Sequence, residues 1–207
     1  MTRVVLVAGP SGSGKSLLVR RAGCPCLRLD DFYRDADAPG LPHTLGIVDW
    51  DDVASWDGAA AVAAIRSLVA TGTAETPEYS IPLSRAVGSK TVTIGVDAPL
   101  LLAEGIFAIE ALPLCRAAGL DVEGVYLDRP RTLVAFLRLR RDLKQKRKSL
   151  SVLLRRGFAL WRAQPQLRAH AVAAGFTPYS MGRASRALAA ATPASPAPAR
   201  PARARRG

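Results

Sequence analysis

Eight consecutive residues carry the clearest chemistry in the chain. Gly9-Pro10-Ser11-Gly12-Ser13-Gly14-Lys15-Ser16 fits G-x-x-x-x-G-K-[ST], and it follows a short apolar run and opens a helix-forming stretch. Glycines at those positions let the backbone curl its N–H groups around phosphate oxygens, and a helix N-terminus adds positive partial charge. Lys15 is placed to reach the β- and γ-phosphates of a nucleoside triphosphate, and Ser16 to put its hydroxyl on Mg²⁺. The expected cofactors are therefore ATP and Mg²⁺.

Four further segments hold residues suited to the rest of a phosphoryl transfer. Leu29-Asp30-Asp31-Phe32-Tyr33-Arg34 puts a carboxylate at the end of a strand, near the phosphate loop, where it can orient an attacking hydroxyl and accept its proton. Asp31 reads instead as a cap or a solvated acidic turn. The other three are Trp50-Asp51-Asp52-Val53-Ala54-Ser55-Trp56-Asp57, Thr76-Pro77-Glu78-Tyr79-Ser80 with Arg85 after it, and Leu101-Leu102-Ala103-Glu104-Gly105-Ile106-Phe107.

Together with the phosphate loop, these segments resemble the uridine kinases of the P-loop nucleoside and nucleotide kinases. Asp30 to Arg34 is similar to that family's D-S-F-Y-R, Trp50 to Asp57 to its F-D-H-P-x-x-F-D, Thr76 to Ser80 to its I-P-x-Y-D, and Leu101 to Ile106 to its strand ending in E-G-I. The resemblance implies that Asp30 is the general base and that Tyr33 and Tyr79 line the acceptor pocket. It puts Asp51 on the ribose hydroxyls and Glu104 on Mg²⁺. Arg85 faces the nucleoside or pairs with an acid, and Trp50 and Trp56 either line the pocket or fill the core. The resemblance further implies a basic lid in which Arg141 binds phosphate, with Lys146 and Lys148 standing where the family has arginines. It spans Val4 to Lys148. One departure bears on the acceptor: the family carries a His after its Tyr-Asp pair, and this chain has Ser80 to Arg85 with no His there. His43, in the preceding loop, is the substitute to test, although it reads as a solvated loop residue.

These residues need elements to place them. The 207 residues and 21.9 kDa suit one domain. Arg3–Ala8 reads as a buried strand, 15–21 as a helix and 26–29 as a second strand. Residues 35–49 read as a loop and 58–70 as a helix capped by Asp57. Strands at 91–96, 99–103 and 123–127, with a helix at 112–118, complete an alternation that argues for an α/β fold. We expect a three-layer P-loop NTPase arrangement, a largely parallel sheet and a basic helical lid at about 129–150. Leu153, Leu154, Phe158 and Trp161 have the spacing of one buried helix face. The kinase domain is expected to span 1–191, followed by a Pro/Ala/Arg-rich tail, 192–207, of disordered composition.

Charge sharpens the division. The net of +12 suggests nucleic acid, but residues 1–128 hold 10 basic and 16 acidic side chains, a net of −6, whereas residues 129–168 hold 13 basic and one acidic. The basicity sits in the lid and the tail. Three cysteines without a metal-type spacing read as buried reduced thiols, and no run is long enough for a membrane span. The resulting expectation is a cytoplasmic enzyme that moves the γ-phosphoryl of ATP to the 5′-hydroxyl of a pyrimidine ribonucleoside. Other acceptors in play are another nucleoside or a ribose-, ribulose-phosphate- or pantothenate-like alcohol. A nucleic-acid-binding P-loop ATPase is the competing class.

Overall fold

A computed structural model describes residues 2–44, 46–95, 98–145 and 150–191. Five parallel strands form the central sheet in the order β2-β7-β1-β8-β9: β1 is Arg3–Ala8, β2 Cys26–Arg28, β7 Leu100–Glu104, β8 Val122–Leu127 and β9 Phe176–Tyr179. In β1 every residue after Arg3 is buried, which is why its sequence is a continuous apolar run with no alternation. Its neighbours are in register from Val4 opposite Leu101 and Val122 onward.

Helices cover both faces. On one side α2 (Gly58–Thr71), α3 (Ala108–Ala117) and α5 (Leu150–Ala173) pack on a core built around Leu6, Leu101, Ile65, Leu112 and Tyr126. On the other, α1 (Lys15–Ala22) and α6 (Met181–Ala191) cover Val5, Val7, Leu102 and Leu127 through Leu18, Ala184 and Leu188. The three-layer α/β expectation holds. The Asp57 carboxylate accepts from the Ala60 N–H at 2.8 Å and starts α2, as its sequence position predicts.

Two small antiparallel pairs stand outside the sheet. His43–Thr44 (β3) pairs with Ile47–Val48 (β4), and Thr73–Ser80 (β5) pairs along its length with Arg85–Thr93 (β6). The β5–β6 hairpin departs from the expectation of a single strand at 91–96. Residues 96 and 97 lie outside the described residues.

Beyond β8 the chain forms α4 (Arg131–Gln145), then α5. The expected buried face through Phe158 and Trp161 is not formed. Phe158 is exposed and stacks on half-buried Trp161, and the Arg131 guanidinium lies 3.9 Å from the Trp161 ring centre. Leu153 and Leu154, the other two residues of that expected face, have side chains outside the described residues. Cys115 is buried as expected, whereas Cys24 and Cys26 are only half-buried; burial pushes the Cys115 thiol up to about 11 and the Cys26 thiol to about 12. Lys146, Lys148 and the tail 192–207 fall outside the described residues. Among the described residues no helix is long and apolar enough to cross a membrane.

Candidate functional site

Parallel strands deliver their C-terminal ends to one edge, and that edge is where the sequence places its chemistry. The phosphate loop leaves β1, Asp30 leaves β2 and Glu104 ends β7, so the strand order brings residues 9–16, 30 and 104 together.

In the loop, Gly9, Gly12 and Gly14 have φ of 148°, 88° and 96°, which L side chains rarely adopt. At Gly12 a Cβ would also sit 3.1–3.2 Å from Arg138 and from the Val134 carbonyl, so α4 lies directly against the loop. Lys15 Nζ donates to the Gly9 carbonyl at 2.7 Å. Burial lowers its pKa against the opposing pull of Glu104 and Asp30. An anionic phosphate at the loop would supply charge that those carboxylates provide only in part.

Ser16 Oγ donates to Glu104 Oε1 at 3.2 Å. A hydroxyl beside one carboxylate is an all-oxygen donor pair. It suits Mg²⁺, which takes few protein ligands and completes its shell with water and phosphate oxygens.

Asp30 stands in a short 3-10 turn, Leu29–Phe32, at the end of β2. Its Oδ1 accepts the Ile106 N–H at 2.9 Å, which leaves Oδ2 for a ligand. Gly105 makes that approach feasible: a Cβ there would meet Asp30 Oδ1 at 2.6 Å and Leu29 Cβ at 2.7 Å. Burial raises the Asp30 pKa, opposed by the Ile106 hydrogen bond and by Lys15. The result is a carboxylate held near the loop and more basic than a solvated one.

Beside Asp30 lies an aromatic wall. The Tyr33 ring packs edge-on against Trp50 at 5.5 Å and tilted against Tyr79 at 5.7 Å. The Tyr33 hydroxyl donates to the Trp50 carbonyl at 3.1 Å, and that of Tyr79 to the Arg34 carbonyl at 3.2 Å. Burial pushes both phenols up, Tyr79 to about 12, so both remain donors at neutral pH. Asp51 is exposed, and its charge is felt at Tyr33 along with that of Asp30. Tyr33 and Tyr79 are thus in ring contact, with the charge of Asp51 close to Tyr33.

Other placements differ. Trp56 is a core residue, stacked on Phe107 at 5.4 Å with Nε1 donating to the Leu29 carbonyl at 3.0 Å. Arg85 takes the second of its two readings and pairs with Asp37 at 3.1 Å. His43 Nδ1 lies 2.9 Å from the Leu41 carbonyl, in an exposed strand pair. Asp31 is not a solvated turn residue: it is 3% exposed and ion-paired to Lys90 at 2.7 Å.

On the lid side Arg141 is joined by two residues the sequence did not single out, Arg138 and Arg129. Arg138, 5% exposed, donates to the Ser11 carbonyl from Nε (2.9 Å) and Nη2 (2.7 Å), and Arg141 Nη1 reaches Ser11 Oγ at 3.1 Å. Arg129 Nη1 donates to the Ser13 carbonyl at 3.2 Å. The available signal was the three-residue step between Arg138 and Arg141, which puts both on one face of α4.

No protein-family model matches the chain, and no curated protein matches it. Solved structures do. The chain is similar to a candidate fructose transport system kinase from Silicibacter sp. TM1040, with 15% identity over 86% of this chain and 89% of that one and a TM-score of 0.53. That likeness establishes a shared fold. It also aligns with a candidate uridine kinase from Bacillus stearothermophilus (23% identity, 64% and 74% of the two chains, TM-score 0.44). A third match is phosphoribulokinase from Rhodobacter spheroides (14%, 86% and 70%, 0.48).

Proposed function

We propose that this chain is a P-loop kinase that transfers the γ-phosphoryl group of ATP to the hydroxyl of a small alcohol, and that its acceptor is the 5′-hydroxyl of a pyrimidine ribonucleoside. The observation that carries the reading is Asp30. One of its oxygens is held by the Ile106 N–H, its charge is balanced by Lys15 of the phosphate loop, and the Tyr33 wall adjoins it. The Silicibacter protein that shares the fold is itself described as a kinase.

In this reading the loop amides and Lys15 cradle the triphosphate. Asp30 accepts the proton of the acceptor hydroxyl as its oxygen bonds to the γ-phosphorus, the bond to the ADP oxygen breaks, and the proton passes from Asp30 to solvent. Ser16 and Glu104 would hold Mg²⁺, which when bound would supply positive charge to the transferring phosphate. Arg141, and Lys146 and Lys148 further along the lid, add charge where the equatorial oxygens gather it. Tyr33, Trp50 and Tyr79 hold the acceptor, and Asp51 takes two of its hydroxyls.

A panel of ribonucleosides, sugars and other small alcohols, incubated with ATP and Mg²⁺, tests this. Uridine or cytidine is expected to give the highest kcat/KM. Turnover of other alcohols alone would keep the kinase and remove the nucleoside.

A further inference from the structure

Asp31 is a buried charge that the transfer reaction does not use. Its carboxylate is 5% exposed, and Lys90 Nζ, from the middle of β6, reaches Asp31 Oδ2 at 2.7 Å. Arg28 lies farther off at 3.6 Å, with 59% of its side chain in solvent. A carboxylate this buried is sustained only by a close partner, and Lys90 is the close one. Where the resembling family has Ser in D-S-F-Y-R, this chain has Asp, so the pair accompanies a departure from that pattern.

The link joins the turn of Asp30 to the hairpin of Tyr79, and it adds to the Tyr79 hydroxyl bond on the Arg34 carbonyl and to the exposed Arg85–Asp37 pair. Asp31 belongs to the same 3-10 turn as Asp30, and Lys90 belongs to the hairpin that carries Tyr79. Across that hairpin Thr76 faces Lys90 in register and donates from Oγ1 to the Lys90 carbonyl at 3.3 Å. Tyr79, three residues beyond Thr76, then meets Tyr33. The pair also acts on the base electrically. Asp31 is a neighbouring negative charge that raises the Asp30 pKa, and Lys15 from α1 and Arg28 at the end of β2 oppose it. Among the described residues, the titratable groups on neighbouring elements include Glu104, which acts on Lys15, and Tyr33 and Asp51; exposed Arg66 is the one ionisable side chain of α2.

We propose that Lys90 and Asp31 are positioning residues: their ion pair clamps the β5–β6 hairpin onto the turn that carries Asp30 and neutralises the carboxylate beside it. Acceptor wall and base are thereby held in one geometry, with the negative charge beside Asp30 offset. The catalytic consequence rests on the kinase reading above.

The test compares Lys90→Met, Asp31→Asn and the double variant. The readouts are the pH profile of kcat, the KM for acceptor and for ATP, and the Asp30 carboxyl titration followed by carbon NMR. Lys90→Met leaves Asp31 with Arg28 alone, 3.6 Å away and largely in solvent. It is expected to move both the acid limb of kcat and the Asp30 titration upward by about half a pH unit or more. Acceptor KM rises several-fold and ATP KM is unchanged. Adding Asp31→Asn removes the Asp31 charge and returns the Asp30 titration to its wild-type position, which a purely structural defect would not do. Lys90→Arg retains the wild-type profile. Should Lys90→Met not fold, Lys90→Gln replaces it with the same expected direction. An Asp30 titration that Lys90→Met leaves in place, or a double variant as shifted as the single, would overturn the clamp. The NMR titration needs no turnover, so it reads the clamp even if no alcohol is phosphorylated, a result that would instead overturn the kinase reading.

Discussion

Asp30 concentrates the account at the scale of single residues. Asp30→Asn keeps an oxygen to accept the Ile106 N–H, so the turn is retained while the base is lost. Steady-state kinetics should show kcat down by about 10²- to 10⁴-fold with ATP KM within a few-fold of wild type. Burial raises the folded-state pKa of Asp30 above its unfolded value, so the folded state binds the proton more tightly. Its contribution to stability is therefore present below the unfolded pKa and is lost as pH rises through the folded one. At neutral pH the Asn variant should accordingly melt no lower than wild type, and a clear drop in Tm would contradict that sign. The same shift places the acid limb of kcat above the ordinary carboxylate range. Gly105 is the second informative residue. A Cβ there is blocked by Asp30 Oδ1 and Leu29 Cβ, so Gly105→Ala must displace the base. Thermal unfolding should show a loss of about 1–3 kcal/mol, accompanied by a fall in kcat larger than any change in ATP KM.

At the scale of elements, α4 is built the opposite way from an ordinary surface helix. It turns Val134 and Arg138 inward against the phosphate loop and leaves Phe136 exposed. Arg138→Met would leave the Ser11 carbonyl without two donors, each worth about 1.5–3 kcal/mol when the donor is charged. We expect ATP KM to rise about 10-fold or more while acceptor KM changes little. The elements also show what the sequence could and could not disclose. Strands β1 and β7 were legible because parallel strands buried on both faces must be short continuous apolar runs, and β8 was legible from its apolar end, Val125 to Leu127. The hairpin was not. β5 (TAETPEYS) holds a proline and three charged or hydroxyl side chains on its open face, and β6 carries Gly88 at its centre, so neither reads as a strand. β9 is four residues including Pro178, and it exists because β8 offers it an edge. Within the site, the phosphate loop, Asp30 and Glu104 were legible since their chemistry is fixed by local spacing. Lys90 and Arg138 were not, because each acts across a long sequence separation that no periodicity records.

For the whole molecule, the charge arithmetic acquires a physical meaning. The acidic body supplies Asp30, Asp51 and Glu104, and the basic segment supplies Arg129, Arg138 and Arg141 to the phosphate loop. Arg183 and Arg186 belong to α6, with Arg183 over the Tyr179 ring at 4.6 Å. The other four arginines of the C-terminal region lie in residues 192–207, outside the described residues. A chain ending at Ala191 should retain ATP turnover within a few-fold. Any RNA or DNA binding by the full chain should weaken steeply with salt and disappear from the shortened one in a mobility-shift assay. Salt-dependent binding that survived the truncation would point to residues 129–168 and to the nucleic-acid class of function. The central claim is tested most directly by ³¹P NMR of the wild-type protein with ATP, Mg²⁺ and uridine or cytidine. The account predicts equal amounts of ADP and nucleoside 5′-monophosphate; inorganic phosphate as the sole phosphorus product beside ADP, whatever alcohol is supplied, would contradict it.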